Sequence, residues 1–242
     1  MAAFTGQVAV VTGASSGIGK AIALNLAMEG AIVCLIGRSL PPLENVKKEV
    51  ESVSERLIPC KADLEKDQDI RNLVTYLNQS FEGIDILVHS AGIISLGDIG
   101  TASVDDYDRQ FRVNVRAPYF LTQALLPMIR ARKGQVVFIN SSLGLHAKAH
   151  LAGYSASKHA LKAVADALRD EANDEGLRVI SIYPGRTATR MQSEILRTEG
   201  IHQVPETLMK PEDVAKVVLD ALRLDRRAEI TDIQVRPARK WN

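Results

Sequence analysis

Short apolar runs alternate along this chain with longer stretches of helical period. The runs are Val8–Thr12, Ala31–Ile36, Leu57–Cys60, Ile84–Val88, Gln135–Asn140, Arg178–Tyr183 and Ile230–Val235. Most are solidly apolar, as parallel strands covered on both faces require. Between them the spacing predicts helices over 18–29, 40–53, 66–80, 104–130, 154–174 and 211–223. Ser103 stands where an N-cap would open the fourth. Pro211-Glu212-Asp213 puts proline and acid into the first turn of the last. Strand followed by helix throughout predicts a doubly wound α/β sheet with helices on both faces. No repeat, low-complexity linker or composition break divides the 242 residues, so one domain over 1–242 is expected. The least regular stretch, Arg186–Lys210, reads as a substrate lid at 186–210.

Composition narrows the class. Apolar residues make up 46% and charged residues 24%, which suits a globular chain with a sizeable core. A formal net charge of +1 leaves no electrostatic footprint for nucleic acid or an anionic membrane. No apolar run approaches the roughly 18 residues that span a bilayer. The N-terminal residues run straight into a strand and lack a signal peptide's basic and apolar regions. Cys34 and Cys60 each sit in or beside an apolar run and are expected buried and reduced. His146, His150, His159 and His202 show no metal-ligand spacing with cysteines or acids. A cytoplasmic, metal-free protein is expected.

The first strand ends in Thr12-Gly13-Ala14-Ser15-Ser16-Gly17-Ile18-Gly19, and a helix follows at once. A tight strand-to-helix turn needs positive φ, and close approach to a pyrophosphate needs the absence of Cβ. The free N–H groups and dipole of the new helix favour an anion there. At the end of the second strand an NAD-binding site usually places an acid for the ribose hydroxyls. Here the chain reads Gly37-Arg38-Ser39. Arg38 could pair with a 2′-phosphate that an acid would repel, so NADP is preferred to NAD. Asp63 could accept a hydrogen bond from an adenine amino group, or cap the helix that begins near Glu65. Tyr154 and Lys158 stand at i and i+4, one turn apart on one helix face. An ammonium beside a phenol lowers its pKa and brings it nearer to use as an acid–base group.

Taken together, Thr12–Gly19, Asp63, Ala91-Gly92, Asn114, Ser141, Tyr154–Lys158 and Pro184-Gly185 resemble the short-chain dehydrogenase/reductase family in order and spacing. The resemblance covers nearly the whole chain. It implies a single-domain Rossmann-type parallel sheet of about seven strands, with the cofactor at the strands' C-terminal ends. It implies an NAD(P)-dependent oxidoreductase acting on a small-molecule carbonyl or alcohol. Tyr154 would be the general acid–base, and Lys158 would lower its pKa and hold the nicotinamide ribose. Asn114 would keep a water in the proton relay. Ser141 would hydrogen-bond the substrate oxygen, with Ser142 as its rival. Cofactor contacts would come from Gly13, Ser15, Ser16, Gly17, Ile18, Gly19, Arg38, Asp63, Leu64, Ser90, Ala91 and Gly92. Tyr154, Lys158, Pro184, Gly185 and Thr187 would complete them. Substrate-pocket residues are expected from Ile93–Leu96, Leu143–Leu151 and Arg186–Gly200, with His150 a candidate for specificity.

Two departures matter. Where the family usually has Asn-Asn-Ala-Gly, this chain has His89-Ser90-Ala91-Gly92, which puts the usual sheet-to-loop hydrogen bonds in doubt. His89 is read as a structural histidine bonding neighbouring backbone. The C-terminal stretch Glu229–Pro237 lacks the family's glycine-rich ending, so homodimer, homotetramer and monomer all stay open. The basic tail of Arg236, Arg239 and Lys240 reads as solvated. The alternative to an enzyme is a non-catalytic dinucleotide-binding sensor or scaffold on the same fold.

Overall fold

Seven parallel strands form one sheet in the order β3-β2-β1-β4-β5-β6-β7 in a computed structural model describing residues 2–201 and 206–239. They are β1 (Val8–Thr12), β2 (Ile32–Gly37), β3 (Leu57–Lys61), β4 (Ile86–His89), β5 (Gln135–Ile139), β6 (Arg178–Pro184) and β7 (Asp232–Val235). The solid apolar runs have a simple cause. Successive side chains on a strand point to opposite faces, and here both faces are covered. On β1, Ala9 and Val11 join one core layer while Val10 joins the other. On β2, Val33 and Leu35 face one way, Cys34 and Ile36 the other. Each fully buried Val or Ile contributes roughly 1.5–3 kcal/mol.

The first layer is built with α1 (Gly17–Met28), α2 (Leu40–Lys48) and α8 (Pro211–Leu222). The second is built with α3 (Asp67–Ser80), α5 (Ala117–Ala131) and α6 (Ala152–Ala172). Ser103 caps α4 (Val104–Phe111) by accepting from the Asp106 N–H at 3.4 Å. The Asp213 carboxylate accepts from the Lys210 N–H at 2.8 Å and closes the start of α8. Among the described residues no helix is long and apolar enough to cross a membrane.

Three stretches differ from the sequence expectation. The helix expected over 40–53 stops at Lys48, and a 3₁₀ turn covers Glu51–Arg56. Val50, Ser52, Val53 and Ser54 are weak helix formers, which fits the early stop. The helix expected over 104–130 is interrupted by a π turn at Arg112–Arg116. The stretch expected to be a lid contains α7 (Arg190–Thr198), opened by Thr189, whose hydroxyl accepts from the Gln192 N–H. Residues 202–205 of that stretch, with His202, lie outside the described residues, as does Lys240 of the basic tail.

The sheet order reverses between β1 and β4, so the connections leaving their C-terminal ends part to opposite faces and leave a crevice. Open α/β sheets hold their ligands in such a crevice.

Candidate active site

The crevice is a cleft walled first by the turn after β1. Gly13, Ser15, Ser16, Gly17, Ile18 and Gly19 all line it. Gly13 has φ +67° and Gly17 has φ +55°, where L side chains are strained. A Cβ on Gly13 would lie 2.8 Å from the Ala91 Cα, so the turn must be glycine to meet the loop after β4. Ser16 opens α1 without a side-chain cap, and no acid stands in the first turn. The positive end of α1 therefore faces the cleft unneutralised, a setting that suits a diphosphate.

The far wall uses Ser90, Ala91 and Gly92. One hydroxyl ties this loop to the end of β1. Thr12 Oγ1 accepts from the Ser90 N–H at 3.0 Å and the Ala91 N–H at 3.1 Å, and donates to the Val88 carbonyl at 3.3 Å. His89 points out of the cleft. Its Nε2 lies 2.7 Å from Thr122 Oγ1, and its ring stacks on Phe138 with centroids 5.0 Å apart. Its partner is thus a side chain, in place of the backbone expected. Burial pushes its pKa down to about 3.

Arg38, Asp63 and Leu64 line the end of the cleft beside β2 and β3. Asp63 Oδ1 accepts from the Glu65 N–H at 3.2 Å, so it closes a local turn while facing the cleft. Helix α3 starts later, at Asp67.

Tyr154 and Lys158 line the opposite end and are buried on α6. Lys158 Nζ donates to the Ile139 carbonyl at 3.0 Å and lies 5.9 Å from the centroid of the Tyr154 ring. Burial pushes the Tyr154 pKa up to about 12, partly offset by a hydrogen bond with Ser141. Burial pushes Lys158 down to about 8. The lowering of Tyr154 expected from Lys158 is not found: desolvating a phenolate costs more than the Ser141 hydrogen bond returns. The same hydrogen bond distinguishes the two serines, because Ser141 reaches Tyr154. Ser141 Oγ also accepts from the Leu143 N–H at 3.1 Å.

Asn114 sits inside the π turn and is fully buried. Its Nδ2 donates to the Ile93 carbonyl at 2.9 Å and to Ser157 Oγ at 3.0 Å. Its Oδ1 accepts from the Ile93 N–H at 2.9 Å. Both amide protons are thus spent on protein. A water at Asn114 would have to use the backbone carbonyl or the remaining lone pair of Oδ1.

Pro184, Gly185 and Thr187 stand outside the cleft wall. The Gly185 N–H donates to the Val235 carbonyl at 2.7 Å, and Thr187 Oγ1 donates to the Gly185 carbonyl at 3.1 Å. Their polar groups tie the end of β6 to β7 and to themselves. Thr189, Arg190 and Met191, at the start of α7, take that part of the wall. Of the expected pocket stretches, Ile93 and Thr189–Met191 reach this cleft, and Leu143–Leu151 does not. His150 instead pairs its Nδ1 with Asp98 at 2.7 Å and holds φ +62°. Asn140, Glu65, Ala62, Ile36, Gly37, Val113 and Ile139 also line the cleft and were not anticipated. Ile36, Gly37, Ala62, Ile139 and Asn140 stand at or just past strand ends, which is the signal that was available; Val113 lies in the π turn and Glu65 in the loop before α3.

The model of the family described as short chain dehydrogenase matches residues 7–200. The chain belongs to the short-chain dehydrogenase/reductase family. It is 34% identical over 238 residues to an uncharacterized oxidoreductase of Staphylococcus aureus (strain USA300), covering 98% of this chain and all of that protein. It is 36% identical over 238 residues to the glycine betaine reductase ATRR of Emericella nidulans, covering 96% of this chain. The chain spans only 19% of that protein's length. A solved metagenomic short-chain oxidoreductase in complex with NADP superposes with a TM-score of 0.84 at 30% identity, covering 98% of this chain and all of that one. The short-chain dehydrogenase described here is accordingly an NAD(P)-dependent oxidoreductase on a Rossmann-type sheet. Among its described residues no three His, Cys, Asp or Glu side chains group as metal ligands would.

Proposed function

We propose that this short-chain dehydrogenase is an NADPH-linked carbonyl reductase, reversible as an alcohol dehydrogenase. The observation that carries this reading is that the glycine turn, Arg38, Tyr154 and Lys158 line one continuous cleft. The uncapped start of α1 fits a diphosphate, and Arg38 fits a 2′-phosphate. The NADP bound in the metagenomic relative agrees with this choice.

A bound nicotinamide supplies or takes up the hydride. The chain's own residues handle the proton and the geometry. With its pKa pushed up to about 12, Tyr154 rests as a neutral phenol and is a proton donor at neutral pH. In reduction its Oη hands that proton to the substrate oxygen. Ser141, hydrogen-bonded to Tyr154, shares that oxygen and orients it. Lys158 keeps its charge at neutral pH and stabilises the phenolate left behind. Asn114 fixes the Ile93 loop to α6, and any relay water at that residue takes the acceptor sites its amide leaves open. In the oxidation direction Tyr154 must first lose its proton, which its burial opposes.

Tyr154→Phe tests the reading. It should lower kcat on a panel of aldehydes and ketones by at least about 10²-fold, the scale of a lost general acid. The NADPH dissociation constant should stay within about twofold, since one hydroxyl is a small part of so extended a contact. Full activity in that variant overturns the proton-donor role. Tight NADPH binding with no turnover by the wild-type protein on a broad panel would favour a sensor.

A further inference from the structure

The wall of the cleft carries an acid for which the reductase reading has no task. Glu65 lines the cleft two residues beyond Asp63, in the loop that leaves β3. Arg38 lines the same cleft at the end of β2, the strand hydrogen-bonded to β3. A free carboxylate here would compete with a phosphate for Arg38 and repel it as well.

The acid is not free. Arg109, on α4, grips both of its oxygens. Nε donates to Oε1 and Oε2 at 3.0 Å each, and Nη2 donates to Oε1 at 2.7 Å. This fork fixes direction as well as charge. The Arg109 fork is the main cause holding the Glu65 carboxyl below the usual carboxylate range, with smaller pulls from Arg38 and Arg112. The charge of Arg38 is therefore within reach of Glu65. Arg109 itself lies outside the cleft wall. Further along the chain, Arg116 grips Asp67 where the same loop enters α3.

We propose that Arg109 is a positioning residue for cofactor selectivity: by engaging both oxygens of Glu65, it leaves the Arg38 guanidinium to the cofactor's 2′-phosphate. This rests on the assignment of Arg38 to that phosphate. Selectivity for NADPH then depends on three residues, Arg38, Glu65 and Arg109, contributed by the end of β2, the β3–α3 loop and α4. Without Arg109, Glu65 pairs with Arg38 and closes the phosphate site by charge while the rest of the cleft stays intact.

Nicotinamide fluorescence titrations with NADPH and NADH on the full chain test this. The set is wild type, Arg38→Ala, Arg109→Ala, Glu65→Gln and the double variant Arg109→Ala/Glu65→Gln. Arg109→Ala should raise the NADPH dissociation constant about five- to tenfold, the scale of one partly exposed ion pair. The NADH constant should move less than about twofold. In the double variant, NADPH affinity should return to within about twofold of Glu65→Gln. No change in Arg109→Ala, an equal loss for both cofactors, or a selective loss that Glu65→Gln does not rescue each overturns the proposal. Arg38→Ala separates this failure from that of the underlying reading. If Arg38→Ala weakens NADPH and NADH alike, the phosphate assignment itself is wrong. If its effect is selective while that of Arg109→Ala is not, only the proposal falls.

Discussion

Thr12→Val is the substitution that most directly probes how this cleft is held together. It keeps the shape of a side chain that is 1% exposed and removes one oxygen. That oxygen serves three partners: the N–H groups of Ser90 and Ala91 and the carbonyl of Val88. After substitution the two N–H groups face a methyl group. A buried donor left without a partner costs about 1–3 kcal/mol. Ser90 and Ala91 are half-buried, so the lower part of that range applies to each. Adding the lost bond to Val88, at about 0.5–1 kcal/mol, gives a destabilisation of about 2.5–4 kcal/mol. Thr12→Ser is the control, since it retains the oxygen and loses a methyl group worth about 1 kcal/mol. Urea unfolding followed by circular dichroism measures both. The loop also forms the far wall of the cleft and packs on Gly13, so NADPH should bind more weakly to Thr12→Val than to Thr12→Ser. Equal stability of the two variants would refute the view that this one hydroxyl holds the loop to the sheet.

Other expected outcomes follow from burial. His89 is held neutral when folded, at about 3, and protonates near its ordinary value when unfolded. The unfolded chain therefore binds the extra proton as pH falls from about 6.5 toward 3. Stability from this residue is complete above about 6.5 and is lost below it, by roughly 1 kcal/mol per pH unit. Urea melts between pH 7 and 5 should show that slope in wild type and a shallower one in His89→Gln; parallel slopes would refute it. Lys158→Met should abolish turnover and yet raise stability by about 1–3 kcal/mol, because it removes a buried ammonium whose pKa has been pushed down to about 8. A destabilised Lys158→Met would show that the bond to the Ile139 carbonyl outweighs desolvation. Arg178, buried at the start of β6, donates to the carbonyls of Leu222, Leu224 and Ala228 at and beyond the end of α8. Arg178→Met should cost about 2–4 kcal/mol in urea melts with an unchanged KM, since it strips charged donors from a helix terminus far from the cleft.

The strands and most helices were legible because their signal is local. A run such as Val8-Ala9-Val10-Val11 needs cover on both faces, and a doubly wound sheet provides it. The π turn at Arg112–Arg116 was not legible. The helical period runs through it unbroken, and what it serves is distant: Asn114 bonds to Ile93, 21 residues back, and to Ser157, 43 residues on. Helix α7 was missed for a related reason. It buries only Gln192 and Leu196, so its apolar stripe is too sparse to read, and its clearest mark is the cap at Thr189.

The departures from the family's pattern follow the same logic. His89 looked like a lost amide, and in isolation it is one. The residues that make it harmless lie elsewhere: Thr12 carries the loop's hydrogen bonds, while Thr122 and Phe138 accept the ring into the core. Thr12 was visible as a polar residue closing an apolar strand, but its partners are 76 to 79 residues away. The acid at Glu65 repeats the case. Alone, an acid there would oppose a phosphate-bearing cofactor; the role proposed for Arg109, 44 residues on, answers that objection. In this protein, a motif residue gives the chemistry, and the residue that makes the chemistry workable is set by the fold. A single position can therefore mislead wherever its partner lies on another element.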